Sequence, residues 1–262
     1  MQRYIDVNTT AAKGLFCTAL PRLEAGLAFL SYAPDGLVYN DPAAPNRTYG
    51  FTDTVAKQGR LLFSSLLVMQ AHDALARWAT ATGCGNATQH AAAAARLRRP
   101  VPAAFYNQST GLFMACDVGA NALPDVWGSA LAVYLNATAS AEQVTQVVNT
   151  FVQNEGSLFQ QGQLRHLPGG VFWGKCFTAC PAPGTYQNGA FWATPLSWVA
   201  PMLARHGQTA FAARQLQAVA DSFTKGGVME CINVDVGYHG VEKYVDSATN
   251  AYGGWAKTAM ER

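Results

Sequence analysis

The stretch DTVAKQGRLLFSSLLVMQAHDALARWATA, residues 53–81, holds the strongest helical pattern in the chain. Its apolar residues recur every three to four positions and form one wide face, as in a helix that packs against a core. That face comprises Leu61, Leu62, Ser65, Leu66, Met69 and Leu75. Gly83 and Gly85 follow, and glycine is favoured just beyond the last helical turn. The pattern therefore predicts one long helix over 53–81.

The same periodicity predicts helices on both sides of this stretch, over residues 11–32, 88–98, 123–135, 140–153, 188–206, 208–223 and 246–260. Pro21 interrupts the first of them and predicts a kink there. Strand signals are weak, and only residues 164–173 suggest a short hairpin. No linker or fixed repeat divides the chain. We predict a single all-α domain over 1–262, an (α/α) toroid of antiparallel helix hairpins with short β-hairpins in its loops.

Composition excludes several classes of protein. Charged residues make up 13% of the 262 residues, which is too few for a disordered chain. The net charge of +2 predicts no nucleic-acid partner, and the basic run 96–99 is interpreted as a solvated helix end. No run of about 18 apolar residues occurs, so we expect no membrane span.

Sequons and cysteines indicate an oxidising compartment. Five Asn-x-Ser/Thr sequons occur, where roughly two or three are expected by chance, at Asn8, Asn46, Asn86, Asn107 and Asn136. Among six cysteines, Cys176 and Cys180 lie close enough for a local disulfide, with free thiols as the alternative and no metal spacing. Residues 1–10 are polar and form no signal peptide. We predict a secreted or lumenal protein whose targeting signal lies outside this chain.

Five segments combine glycines with carboxylates, amides or large aromatic rings. They are YGFTDTVAKQG (49–59), PDVWGSALAVYL (124–135), GQLRHLPGG (162–170), YQNGAFWATPLSWV (186–199) and GGVMECIN (226–233). Aromatic pockets with a few polar groups are the general form of a small-ligand site, and rings stack on sugars. Candidate stacking rings are Trp127, Trp173, Phe191 and Trp192, and each has a core residue as its alternative interpretation.

Three acidic residues lie in apolar, glycine-flanked settings where a raised pKa is possible. Asp53 and Asp125 each precede a predicted helix, so an N-cap is the alternative role for both. Glu230 has no helical role in GGVMECIN, which predicts a loop or short extended piece. Glycoside hydrolysis needs two carboxyl groups that face each other across the scissile bond. From the residues alone, Glu230 is the strongest catalytic candidate.

At these segments the chain resembles the six-hairpin glycosidase superfamily, which includes trehalases, processing α-glucosidases, glucoamylase-like enzymes and α-rhamnosidases. YGFTDTVAKQG is similar to its acid-bearing turn, YQNGAFWATPLSWV to its YxxGxxW segment, and GGVMECIN to the segment with its late glutamate. The resemblance implies an α/α toroid and an inverting hydrolase, with Asp53 as general acid and Glu230 as general base. It also implies cleft positions for Tyr186, Gln187, Asn188 and Trp192.

The chain departs from the superfamily pattern in two respects. A complete toroid has twelve helices, whereas the periodicity predicts about eight here. We therefore expect an incomplete toroid that lacks an N-terminal portion, and a chain inactive by itself stays an open alternative. Asp125 in PDVWGSA also competes with Asp53 for the general-acid role.

The functional hypothesis is an inverting glycoside hydrolase that acts on an α-linked glucoside or related sugar and requires no metal or organic cofactor. The partner is a glycoside or oligosaccharide. The alternative is a non-catalytic carbohydrate-binding protein that keeps the cleft without the chemistry.

Arg165 and His166 could bind sugar hydroxyls, with a surface loop or a hydrogen-bonded pair as the alternative. His72 is interpreted as a partly exposed helix residue. The chain holds no GxSxG elbow, no P-loop and no dinucleotide fingerprint.

Overall fold

Helices dominate the part of the chain that the computed structural model describes, residues 9–45, 54–234 and 237–260. The helices are α1 (Thr9–Ala28), α2 (Leu62–Thr82), α3 (Ala87–Arg98), α4 (Val101–Phe105), α5 (Val126–Tyr134), α6 (Ala141–Gln153), α7 (Glu155–Leu158), α8 (Leu196–Arg205), α9 (Thr209–Gly226) and α10 (Val245–Met260). Within these residues no helix is long and apolar enough to cross a membrane. The helix-rich class agrees with the prediction.

Strands are more numerous than the sequence predicted. They are β1 (Tyr39–Asn40), β2 (Gln58–Leu61), β3 (Tyr106–Asn107), β4 (Leu112–Phe113), β5 (Cys116–Val118), β6 (Phe159–Gln160), β7 (Gln163–Arg165), β8 (Phe191–Trp192), β9 (Met229–Asn233) and β10 (Gly237–Glu242). Most are two to four residues long, too short to show a period of two in the sequence. An antiparallel five-stranded sheet orders them β10-β9-β8-β7-β6, and smaller sheets pair β1-β2-β5 and β3-β4.

The long helix begins nine residues later than predicted. Leu61 occupies the N-cap of α2, while residues 58–61 form β2 and pair with both β1 and β5. Gly59 has φ +73°, and a Cβ there would lie 2.1 Å from Asp117 Oδ1, so only glycine fits this bend. Asp53 lies outside the described residues, and it is not the N-cap of α2. The predicted end is confirmed, since Gly83 caps α2 in the left-handed conformation.

Two other boundaries also moved. The helix predicted over 188–206 begins at Leu196, because residues 185–192 form a turn and β8 instead. The helix predicted over 11–32 ends at Ala28 and retains Pro21 within it. By contrast, Ser140 accepts from Gln143 N at 3.4 Å, which confirms the predicted cap of α6.

The core is organised around two helices. Helix α8 packs against α5, α9 and α10, whereas α2 packs against α1, α3 and α5. Helix α5 therefore joins both groups, and its Trp127 is fully buried. The basic run 96–99 lies at the carboxyl end of α3, as predicted, and Arg98 pairs with Asp73 at 2.6 Å.

The described residues contain two disulfides. The Cys176–Cys180 disulfide is present, as the spacing predicted. A second one, Cys17–Cys84, joins α1 to the residues that follow α2 and was not predicted. Because 67 residues separate its cysteines, closing this loop removes much freedom from the unfolded chain.

Replacing both Cys17 and Cys84 by serine is expected to lower the free energy of unfolding by about 2–4 kcal/mol. Urea unfolding followed by circular dichroism measures the change. The same replacement at Cys176 and Cys180 is the control and should cost less, because only four residues separate that pair. Equal losses for the two pairs would contradict the loop-length explanation.

Two histidines connect the first three helices. His72 Nδ1 on α2 lies 3.0 Å from His90 Nδ1 on α3, and His90 Nε2 lies 3.2 Å from Glu24 Oε1 on α1. Burial lowers the pKa of His72, the nearby His90 and Arg96 lower it further, and Asp73 opposes them. His72 is half-buried, as the sequence interpretation had it.

This arrangement predicts that acid loosens the α1–α3 region. Because the folded state depresses the pKa of His72, it favours the neutral imidazole, and the unfolded chain binds more protons below about pH 6.5. The His72 contribution to stability is therefore present above that pH and is lost as pH falls through the depressed value. Thermal unfolding from pH 7.5 to 5 measures it, and His72→Gln should flatten the profile. An unchanged slope in His72→Gln would contradict it.

Candidate active site

A single turn, residues 184–189, lies where several predicted segments meet. Thr185 and Asn188 form an isolated antiparallel bridge within it. Tyr186 adopts φ +42°, in the left-handed region that non-glycine residues rarely occupy. Such a conformation persists only where the surroundings fix it, and it is often found at functional sites.

The turn contacts the segment that follows Asp53. Gln187 Oε1 accepts hydrogen bonds from Thr54 N at 3.2 Å and from Thr54 Oγ1 at 2.5 Å. Gln187 itself is 4% exposed. The contact therefore holds Thr54, the residue that follows Asp53 in the chain.

The turn also contacts the strand that carries Glu230. Asn233, on β9, accepts a hydrogen bond from Tyr186 N at 2.9 Å through Oδ1. One residue further on, Val234 N donates to Gly184 O at 3.0 Å. The structure thus brings the predicted segments 186–199 and 226–233 together, and it brings Thr54 of segment 49–59 to the same turn.

Glu230 is a buried carboxylate in an extended strand, as predicted. Its Oε2 accepts a hydrogen bond from Val241 N at 3.0 Å, at an irregularity in the pairing of β9 with β10. Gly240 makes this approach possible, because a Cβ there would lie 2.3 Å from Glu230 Oε2. A backbone donor thus satisfies one oxygen of this carboxylate.

Asp125 has a different environment. It is fully buried, and its Oδ1 accepts from Gly128 N at 2.6 Å, which confirms the N-cap role for α5. His166 Nε2 lies 3.1 Å from the same oxygen. Although burial raises the pKa of Asp125, His166, Lys57 and the Gly128 amide outweigh it, and the pKa lies below its ordinary value.

Lys57 completes this buried cluster and was missed by the sequence reasoning, which placed it on a helix. Its side chain is buried, and its Nζ lies 5.8 Å from the centre of the Trp173 ring. Burial lowers the pKa of Lys57, and the charge of Asp125 opposes that lowering. The cluster of Lys57, Asp125 and His166 lies against Trp127 and Trp173, which contact the His166 ring with centroid separations of 4.6 and 5.4 Å.

The candidate stacking rings are covered by protein. Trp127, Trp173, Phe191 and Trp192 are all at most 5% exposed. Trp173 Nε1 donates to Gln187 O at 2.9 Å, and Trp192 Nε1 donates to Tyr186 O at 3.3 Å. Trp173 and Trp192 thus support the turn, and burial makes the core interpretation a better description of all four rings than an exposed stacking face.

Arg165 and His166 do not lie in a surface loop. Arg165, on β7, donates to Gly189 O through Nη2 at 2.8 Å and stacks on Phe191 at 4.8 Å. It is 8% exposed, and burial lowers its pKa. The guanidinium therefore fixes the far end of the turn.

Two buried side chains, Asn121 and Asn188, hold the same region through hydrogen bonds to the backbone. Asn121 Nδ2 donates to Ala56 O at 3.0 Å and to Lys175 O at 2.6 Å. Asn188 Oδ1 accepts from Trp173 N at 2.7 Å. Asn121 and Asn233 were also missed, since a single asparagine before a turn carries no distinguishing pattern in a sequence.

A large cavity in the described part of the chain lies elsewhere. Its volume is about 990 Å³, and its lining includes Tyr32, His72, His90 and Arg96. Glu24 is the only acidic residue among the described residues that line it, and Glu24 contacts His90. The cavity therefore does not offer two carboxylates.

The helix-rich fold and the buried Glu230 agree with a protein of the glycoside hydrolase type, and the family match shows that class. Residues 34–253 match the mannosylglycerate hydrolase MGH1-like glycoside hydrolase domain. The chain belongs to this family. The match confirms the predicted glycoside hydrolase domain and the resemblance to six-hairpin glycosidases.

Solved structures share the fold at low sequence identity. The GH63 mannosylglycerate hydrolase of Thermus thermophilus in complex with glucose gives a TM-score of 0.58 at 16% identity, covering 74% of this chain and 47% of its own. Its complex with Tris and D-glycerate gives 0.59 at 16% identity, covering 74% and 45%. A sialidase gives 0.67 at 13% identity, covering 92% and 23%.

The chain thus spans about half the length of the mannosylglycerate hydrolase structures it resembles. No curated protein matches the sequence significantly.

Proposed function

We propose that this chain carries the catalytic centre of an inverting glycoside hydrolase, with Glu230 as general base and Asp53 as general acid. The observation that carries the proposal is the turn 184–189, which bonds to the strand of Glu230 and to Thr54 beside Asp53. In an inverting enzyme the base activates water while the acid protonates the leaving oxygen.

The environment of Asp125 supports Asp53 over Asp125 as the acid. A general acid must hold its proton at the working pH, whereas His166, Lys57 and the Gly128 amide lower the pKa of Asp125. Asp125 is also fully buried and caps a helix, so it has no access to a substrate. In a crystal structure we expect the carboxyl groups of Asp53 and Glu230 to be about 6.5–9.5 Å apart, and a separation near 5 Å would indicate retention.

The substrate class we propose is a small α-linked glucoside or related hexoside. Support comes from the neighbours, since the Thermus thermophilus enzyme is a mannosylglycerate hydrolase seen with glucose and with D-glycerate. The test is reducing-sugar release from α-glucosides and α-mannosides, mannosylglycerate included. Proton NMR of the first product then reports its anomer: a β-anomer from an α-glycoside supports inversion, and an α-anomer contradicts it.

We further propose that residues 1–262 form one domain, an incomplete α/α toroid. The described residues contain eight helices of nine or more residues, whereas a complete ring has twelve. Packing of consecutive helices such as α2 with α3 and α8 with α9 supports this arrangement.

The second candidate function is carbohydrate binding without hydrolysis. The helix count favours it, because the described residues hold eight helices of nine or more residues, whereas a complete catalytic toroid has twelve. Oligosaccharide binding measured by calorimetry, without release of reducing sugar, would support this function, and measurable turnover would exclude it.

We propose that the protein is secreted and glycosylated. Two disulfides support an oxidising compartment. Of the sequons, Asn8 and Asn46 lie outside the described residues. Asn136 is the best acceptor among the others, since it is exposed in a left-handed turn, whereas the Asn86 side chain caps α3. Expression in a secreting eukaryotic cell should give a mass shift that Asn136→Gln reduces. No glycan in such cells would contradict the proposal.

A further inference from the structure

The resemblance placed Gln187 among the residues that face the substrate, but its contacts indicate another role. Its carboxamide oxygen accepts two hydrogen bonds from Thr54. The side chain is almost completely buried, as is that of Asn233. Both groups therefore act on the protein chain.

A continuous series of contacts connects Glu230 to Thr54, the residue that follows Asp53 in the chain. It runs from Glu230 along β9 to Asn233, across the hydrogen bond to Tyr186 N, and from Gln187 to Thr54. Each step is covalent or a hydrogen bond of 3.2 Å or less. The positive φ of Tyr186 places its amide and the neighbouring Gln187 side chain toward different segments.

The turn in the middle of this series is itself held from several sides. Arg165 bonds to Gly189 O, Asn188 bonds to Trp173 N, and Trp192 Nε1 bonds to Tyr186 O. Gly189 has φ +112°, and a Cβ there would lie 3.2 Å from Gly184 N. A rigid turn with a different contact on each side is suited to fixing a distance.

We propose that Gln187 and Asn233 are positioning residues that set the separation between Asp53 and Glu230. The inference rests on the proposed function and goes beyond it. Gln187 orients the acid segment through Thr54, and Asn233 orients the base strand through Tyr186. A shift of about 1 Å in either group is enough to lower turnover about 100-fold.

The test distinguishes a misplaced acid from a misplaced base by comparing substrates with different leaving groups. A misplaced acid slows substrates that need protonation of the leaving oxygen and spares those that do not, whereas a misplaced base slows both. The probes are the methyl α-glycosides of glucose and mannose, whose alkoxide leaving group needs protonation, and the matching α-glycosyl fluorides, whose leaving group does not. The readout is the ratio of kcat/KM between glycoside and fluoride, which a loss of folded protein does not change.

We expect Gln187→Ala to lower this ratio at least about tenfold, and Thr54→Val, which removes only the hydroxyl donor, to lower it less. Asn233→Ala should lower both kcat/KM values by a similar factor. Gln217→Ala, an exposed glutamine on α9, is the matched control and should leave both unchanged.

An unchanged ratio in Gln187→Ala, when Asp53→Asn does lower the ratio, would overturn the inference and leave the proposed function standing. Hydrogen exchange gives a second reading: the Thr54 amide should exchange at least about tenfold faster in Gln187→Ala than in Gln217→Ala. Equal exchange would also overturn the inference. No turnover of any probe by the unmodified chain would instead overturn the proposed function, and the inference with it.

Discussion

Glu230→Gln is expected to lower kcat by about 10²–10⁴-fold, the contribution of a general base. The amide cannot take a proton from the attacking water. It does keep an oxygen in place to accept from Val241 N, so the strand pairing is retained. Reducing-sugar release measures the loss, and circular dichroism with thermal unfolding checks that the variant folds.

Glu142→Gln provides the matched control, because Glu142 is exposed on α6 and lies outside the proposed site. It should retain full activity. A fully active Glu230→Gln variant would remove Glu230 from the general-base role. A variant that fails to fold would show instead that the contact between Glu230 and residues 240–241 is primarily structural.

Asp125→Asn is expected to lower the free energy of unfolding by about 3–5 kcal/mol. The change preserves the N-cap acceptor to Gly128 N but removes the negative charge opposite Lys57 and His166. The charge of Asp125 acts on the buried Lys57, and removing it leaves that buried cation less compensated, which accounts for the size of the effect. Urea unfolding at pH 7 measures it.

Asp73→Asn is the control for this prediction. Asp73 and Arg98 form a closer pair, at 2.6 Å, but their side chains are 30% and 32% exposed, so the loss should be about 1 kcal/mol or less. Adding Lys57→Met to Asp125→Asn should recover part of the lost stability, since it removes the unpaired cation. An Asp125→Asn variant as stable as the unmodified protein but without turnover would transfer the acid role to Asp125.

The helices and their ends were largely predictable from local residues. Ser140 and Asp125 cap α6 and α5, and Gly83 ends α2, because capping depends on residues within one turn of the chain. The start of α2 was predicted wrongly. Pairing with β1 and β5 decides the extended conformation of residues 58–60. Both partner strands are distant in sequence, so the local pattern of residues 58–60 does not reveal them.

The candidate site was likewise predictable only in part. The sequence by itself determined the helix-rich class, the segments that resemble six-hairpin glycosidases and the non-helical backbone at Glu230. These features follow from local pattern and residue type. Only the tertiary structure decided that Lys57 is buried where the charge of Asp125 acts on it, and that Gln187 holds Thr54, 133 residues away. Side chains that act across such separations leave no local period in a sequence, since their partners are chosen by the packing of the whole core.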